Sequence, residues 1–135
     1  MKSIVLLGGG PEQADAIKIS KELGYNTIVL DSNLLAVGRK FADKFIQCDI
    51  KNSSEVFRNI ENLGVNGLMV HAIELSNVVA EVSEKLGIPS VSKDAAINAT
   101  NKLKRLEILK KNHIPCAEFG SATNINEAKN IAKNI

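Results

Sequence analysis

The sequence predicts an α/β protein built on an open, doubly wound, mainly parallel, Rossmann-like sheet. Three observations predict it. Short, nearly continuous apolar runs alternate with helix-spaced apolar stripes, as in a parallel sheet covered on both faces. Helical stretches end at Leu23-Gly24-Tyr25, Leu63-Gly64-Val65 and Leu86-Gly87-Ile88, each just before or at the start of the next apolar run. Gly supplies the left-handed residue that closes a helix, and the apolar residue after it packs back on the last turn. Finally, the polar residues suited to binding gather just after the apolar runs, where doubly wound sheets hold ligands. Right-handed crossovers then give the strand order 3-2-1-4-5.

The strands are expected at Ile4 to Leu7, Thr27 to Leu30, Lys44 to Cys48, Gly67 to Val70 and Ser90 to Ser92. Between them, Val56, Ile60 and Leu63 make one helical stripe, and Val78, Val82 and Leu86 make another. After about residue 98 the pattern changes. Thr100 is placed to cap a helix from Asn101 to Lys111, closed by Asn112 and ended by Ile114-Pro115. Ala117 to Ser121 reads as a short strand. Asn124-Ile125-Asn126-Glu127 resembles a capping box that opens a last helix with the stripe Ile125, Ala128, Ala132 and Ile135. The expected domains are a Rossmann-like domain over 1–98, and over 99–135 a linker helix with a strand-helix tail that starts a further subdomain. That last stripe has few partners within the chain, so it should be under-buried, with fraying or self-association.

Composition removes several function classes. The chain has 135 residues, with 17 basic against 15 acidic side chains, a balance that gives little attraction to nucleic acid or anionic lipid. No Trp and one Tyr leave base-stacking platforms poorly supplied. No apolar run approaches the ~20 residues of a membrane span. Cys48 and Cys116 fit no CxxC pattern. They read as small buried fillers in a cytoplasmic protein.

The binding candidates lie at the carboxyl ends of the strands. The turn Gly8-Gly9-Gly10-Pro11-Glu12-Gln13 lets backbone pass close to a ligand and opens a helix whose start favours an anion. It lacks the third Gly of a dinucleotide fingerprint, because Gln13 stands there. Asp31 follows the second strand, either as a ribose-binding acid or as the cap of the Ser32-Asn33 turn. Glu74 follows the fourth strand, either as a ligand for an amine or hydroxyl or as a first-turn helix acid. His71 reads as a satisfied strand-end residue, since no second ligand stands at metal-site spacing. The lysines and arginine of 102–111 read as a solvated face. No catalytic triad, Walker motif or metal set is present.

In order along the chain, Ile4 to Gln13, Leu23-Gly24-Tyr25, Leu30-Asp31, Ala42-Asp43-Lys44-Phe45, Leu86-Gly87-Ile88-Pro89, Thr100-Asn101-Lys102 and Leu109 to Pro115 resemble the amino-terminal domain of ATP-grasp ligases. That domain precedes the ATP-binding part in biotin carboxylase, carbamoyl-phosphate synthetase and several purine-pathway enzymes. The family's Asp-Lys and Gly-Ile-Pro are altered here, with Asn101 before Lys102 and His113 at or near the Gly. The resemblance implies a ligase that uses Mg-ATP to convert a carboxylate to an acyl phosphate for attack by an amine or other nucleophile. It implies that Gly8, Gly9, Gly10, Glu12, Gln13 and Glu74 help bind a small carboxylate or amine substrate, and that Lys102 contacts ATP; Asp31 joins the substrate-binding set from its place after the second strand. The ATP-phosphate Lys strand, the lid and the Mg ligands of the family lie beyond Ile135. The chain is therefore expected to be a truncated, substrate-side piece that has no catalytic residue of its own. It should bind neither ATP nor Mg tightly, and its partner would be the ATP-grasp domain or a second copy. Two other readings compete: a stand-alone module for a nucleotide or sugar nucleotide, and a nicotinamide-dependent oxidoreductase, against which Gln13 counts.

Overall fold

A computed structural model describes residues 1–135, which divide into two compact units, Met1–Ala96 and Ile97–Ile135. The first unit runs β1 (Ser3–Leu7), α1 (Pro11–Glu22), β2 (Asn26–Asp31), a 3-10 turn (Val37–Phe41), β3 (Lys44–Gln47), α2 (Ser53–Ile60), β4 (Val65–Val70) and α3 (Ser76–Leu86). All strand pairs are parallel, in the order β3-β2-β1-β4. Val5 pairs with Ile28 and Leu68, and Leu7 with Leu30 and Val70.

The alternation along each strand sorts the core into two layers. Val5, Leu7, Ile28, Leu30 and Leu68 point to one face and pack against Val56 and Ile60 of α2 and Val78 and Val82 of α3. Leu6 and Val29 point to the other and meet Ile17 of α1, with Ile4, Phe41, Phe45 and Met69 around them. A sheet buried on both faces needs apolar residues at successive positions, which is why the strands read as continuous apolar runs. One buried hydroxyl, Ser83 Oγ on α3, has no hydrogen-bond partner.

Two of the three helix stops are built as the Gly pattern predicts, at Gly24 and Gly87; α2 ends earlier than expected, at Ile60 with Glu61 as its C-cap, and Gly64 lies in the turn that leads into β4. Gly24, Gly64 and Gly87 have φ of +83°, +61° and +66°. At two of these stops the next residue's N–H closes back on the helix, Tyr25 to Ser20 O and Ile88 to Ser83 O.

The expected fifth strand does not form. Ser90 to Ser92 is irregular, because Pro89 supplies no N–H and Ser92 caps a further helix, α4 (Lys93–Thr100), by accepting from Ala95 N at 3.2 Å. The order therefore ends at the fourth strand.

In the second unit, α5 spans Lys102–Lys111 and α6 spans Ile125–Ala132. Asn101, rather than Thr100, caps α5, accepting from Lys104 N at 3.0 Å, whereas the Thr100 hydroxyl turns back to Ile97 O. Asn112 is the C-cap of α5, its N–H bonded to Ile108 O, but at φ −97° it does not take the left-handed position that Gly holds at the earlier stops. His113 takes the left-handed position at φ +55°, with Ile114 N bonded to Leu109 O. Ala117 to Ser121 forms no strand, having no neighbouring strand in this unit with which to build a ladder. Asn124 does cap α6, accepting from Asn126 N and Glu127 N, while Glu127 reaches back to Thr123. The stripe is under-buried as expected, with Ile125 70% and Ile135 64% exposed.

β3 is tied to the sheet through Asp43. Its Oδ2 accepts from the N–H and hydroxyl of buried Thr27, at 2.9 and 2.8 Å, and its Oδ1 meets Lys21 Nζ at 2.7 Å. The Lys21 contact, then the two Thr27 hydrogen bonds, hold this carboxyl down at about 2. A carboxylate depressed in the folded state stabilises above its unfolded pKa, about 3.9. That stabilisation is lost as pH falls from about 4 through about 2. Asp43→Ala is expected to cost about 1–1.5 kcal/mol at neutral pH, discounted for the solvent exposure of the ion pair. The difference from the parent chain should shrink as pH falls through that window. Urea unfolding of both proteins at several pH values checks this, and a pH-independent difference would contradict it.

Candidate functional site

The candidate site is the carboxyl edge of the sheet, where three connections meet. The β1–α1 loop leaves the strand at Gly8, whose φ is +95° and whose N–H bonds Leu30 O at 2.7 Å. A methyl group on Gly8 would lie 2.6 Å from Ile73 Cδ1 of the β4–α3 turn, so the two connections are in close contact. Gly10 then caps α1 with Pro11 at its first position, where the missing N–H costs nothing.

Asp31 reaches across from β2. Its Oδ2 accepts from Gly9 N at 2.6 Å and its Oδ1 from Asn33 N at 2.8 Å. Both oxygens thus hold backbone. The carboxylate caps its own turn, as one of the two sequence readings had it, and also clamps the glycine loop. Gln13 is buried, 6% exposed, and its Nε2 donates to His71 O at 2.8 Å, tying α1 to the β4–α3 turn. In that turn Ala72 is held at φ +56°, an uncommon conformation for a residue with a Cβ. Glu74 lies exposed two residues on, and Glu12 is exposed at the start of α1. Gly8, Gly9, Gly10, Gln13, Asp31 and the turn that carries Glu74 therefore come together. Lys102 is the exposed first residue of α5, in the second unit.

Sequence reasoning missed Ala36 and Gly38. The Gly38 N–H donates to Gly9 O at 2.6 Å, and a methyl on Gly38 would lie 2.9 Å from that oxygen and 2.5 Å from Ile17 Cδ1. The signal was the small-residue pair in Ala36-Val37-Gly38, just after the Asp31 turn. His71 contributes its carbonyl and its ring is exposed, which suits the strand-end reading. Cys48 is buried, and desolvation, then Glu55 and Asp49, push its thiol up to about 11, so it is a packing residue. Cys116 corrects the other half of that expectation. It is exposed, in an irregular segment that has no core to enter.

The loop keeps few donors for an anion. The N–H groups of Gly8, Gly9 and Gln13 are bonded to Leu30 O, Asp31 and Gly10 O, and Pro11 has none. Gly10 and Glu12 retain theirs. No group of three or more His, Cys, Asp or Glu side chains is arranged to hold a metal ion. Three of the loop's N–H groups are thus spent within the protein, and no phosphoryl step is assigned to these residues.

No family model matches the chain. Comparison with solved structures finds the same fold over 99% of the chain in phosphoribosylglycinamide synthetase from Anaerococcus prevotii, with a TM-score of 0.80 and 29% identity, covering 35% of that protein. The carbamoyl phosphate synthase large chain of Thermotoga petrophila is 26% identical over 99% of this chain and 14% of its own length. Over nearly its whole length the chain is similar to the amino-terminal domain of ATP-grasp ligases. The N5-carboxyaminoimidazole synthetase of Staphylococcus aureus, solved with ADP, has the same fold over 98% of this chain and 35% of its own, at a TM-score of 0.80 and 20% identity. The chain spans about a seventh of the curated relatives it matches and about a third of the solved structures. No helix is long and apolar enough to cross a membrane.

Proposed function

We propose that this chain is the substrate-side domain of an ATP-dependent ligase that joins a carboxylate to an amine or other nucleophile. The observation that carries this reading is the overlay of nearly the whole chain on one third of phosphoribosylglycinamide synthetase at 29% identity. In the complete enzyme, ATP and Mg would supply the activated carboxylate, an acyl phosphate. This chain's part is to hold a substrate at the Gly8–Gln13 loop, beside Asp31 and Glu74, with Lys102 contacting nucleotide held by the partner domain. That ATP-binding domain, in the cytoplasm, is the partner proposed to cover the Ile125 and Ile135 stripe.

The test has two parts. The 135-residue chain alone is expected to turn over no ATP. The native product, sized by intact mass and read past codon 135, is expected to be longer and to release ADP only with a carboxylate and a nucleophile present. ATP turnover by the chain alone would sink the proposal. So would a native product that ends at Ile135, which would leave a ligand-binding module instead.

A further inference from the structure

The side chain at the centre of the candidate edge has one half fixed and one half free. Gln13 is more than nine-tenths buried, and its Nε2 is committed to His71 O at 2.8 Å. Only the NH₂ end of a carboxamide can donate to a carbonyl, so the contact settles which end is which. Oε1 is thereby held beside Gly10, 2.7 Å from where a Cβ on that glycine would sit. No protein donor reaches this oxygen, and it is not sealed from solvent, since Ser83 Oγ is the one buried side-chain atom left without a partner. A glycine at position 10 keeps the space in front of the acceptor open.

The surroundings set what this acceptor can meet. The neighbouring N–H groups of Gly8, Gly9 and Gln13 are bonded within the protein, and the Gly9 partner is the Asp31 carboxylate. An incoming phosphate would find a carboxylate within the loop, an oriented acceptor, and few N–H groups. Like charges and facing acceptors both raise its energy. A group that donates hydrogen bonds meets the opposite situation.

We propose that Gln13 determines specificity at this edge, presenting Oε1 to an N–H donor of the ligand and disfavouring a phosphate at the glycine loop. The proposal rests on the reading that this edge faces substrate. It adds a residue-level cause, the His71 carbonyl that orients the carboxamide, and it states which chemistry the loop rejects.

The test is a ¹H–¹⁵N NMR titration of the labelled 135-residue chain with ethanolamine hydrochloride and, separately, with inorganic phosphate at matched ionic strength. Ethanolamine is expected to shift the Gln13 side-chain amide and the Gly10 N–H saturably, and phosphate to shift neither. Gln13→Met keeps the volume but removes the acceptor, and should weaken ethanolamine binding about tenfold. Unchanged Thr27 and Asp43 resonances would show that the fold is intact. Saturable phosphate binding at Gly10 and Glu12 would overturn the proposal, as would undiminished ethanolamine binding by Gln13→Met or no response to ethanolamine at all. Those results would leave the ligase-domain reading standing, whereas ATP turnover by the chain alone would sink that reading without touching the phosphate result.

Discussion

Gly38→Ala is expected to destabilise the first unit by about 2–3 kcal/mol, through overpacking rather than through lost backbone freedom. The added methyl would lie 2.5 Å from Ile17 Cδ1, 2.9 Å from Gly9 O and 3.1 Å from Gly9 Cα. Ile17 is fully buried and has little room to yield, and the other two atoms are backbone of the glycine loop. The 3-10 turn must move away, stretching the Gly38 N–H to Gly9 O bond, or the loop must shift with it. Gly67→Ala is the matched control. Its nearest neighbour would be Ile4 Cγ1 at 3.8 Å, an ordinary contact. That change should leave stability within about 1 kcal/mol of the parent chain, since Gly in a strand interior is itself unfavourable by roughly that amount. Urea unfolding of the three proteins decides the matter. Equal midpoints for Gly38→Ala and Gly67→Ala would show that the close approach at Gly9 is not a constraint.

The same contact shows what a sequence pattern can and cannot carry. The stops of α1 and α3 were legible because a left-handed residue at a helix end is a local requirement, and Gly meets it at Gly24 and Gly87; Gly64 is left-handed too, but in the turn beyond the end of α2. His113 meets it at the end of α5 without a glycine, so there the sequence pointed one residue early, to Asn112. The sheet was legible from Val5 to Leu7 and Ile28 to Leu30 because both faces are covered. Ser90 to Ser92 and Ala117 to Ser121 looked similar in isolation, but a strand exists only where a neighbour completes the ladder. Neighbours are tertiary facts. So are the partners of Asp31 and Gln13. Their positions beyond the first two strands marked them as site residues, but that Asp31 reaches Gly9 and that Gln13 reaches His71, 58 residues away, follows only once the strands are side by side.

Asp31 carries the second large effect, and the sequence left it with two roles. If the carboxylate is the clamp of the glycine loop, Asp31→Ala should cost about 2–3 kcal/mol, because hydrogen bonds to a charged acceptor are worth more than neutral ones and buried N–H groups are costly to leave bare. Two N–H groups lose their partner, and that of Gly9 belongs to a buried residue. Asp31→Asn should fall between, since a carboxamide has one acceptor oxygen and must turn its NH₂ toward either Gly9 N–H or Asn33 N–H. The two substitutions thus grade the same interaction without changing the size of the side chain in the second case. Hydrogen exchange gives the local readout: the Gly9 amide should be protected in the parent chain, less so in Asp31→Asn and least in Asp31→Ala. If stability and Gly9 protection were unchanged in Asp31→Ala, the carboxylate would be free of the loop and available to a ligand hydroxyl. If both fall as expected, Asp31 is the clamp that sets the shape of the loop at Gly9.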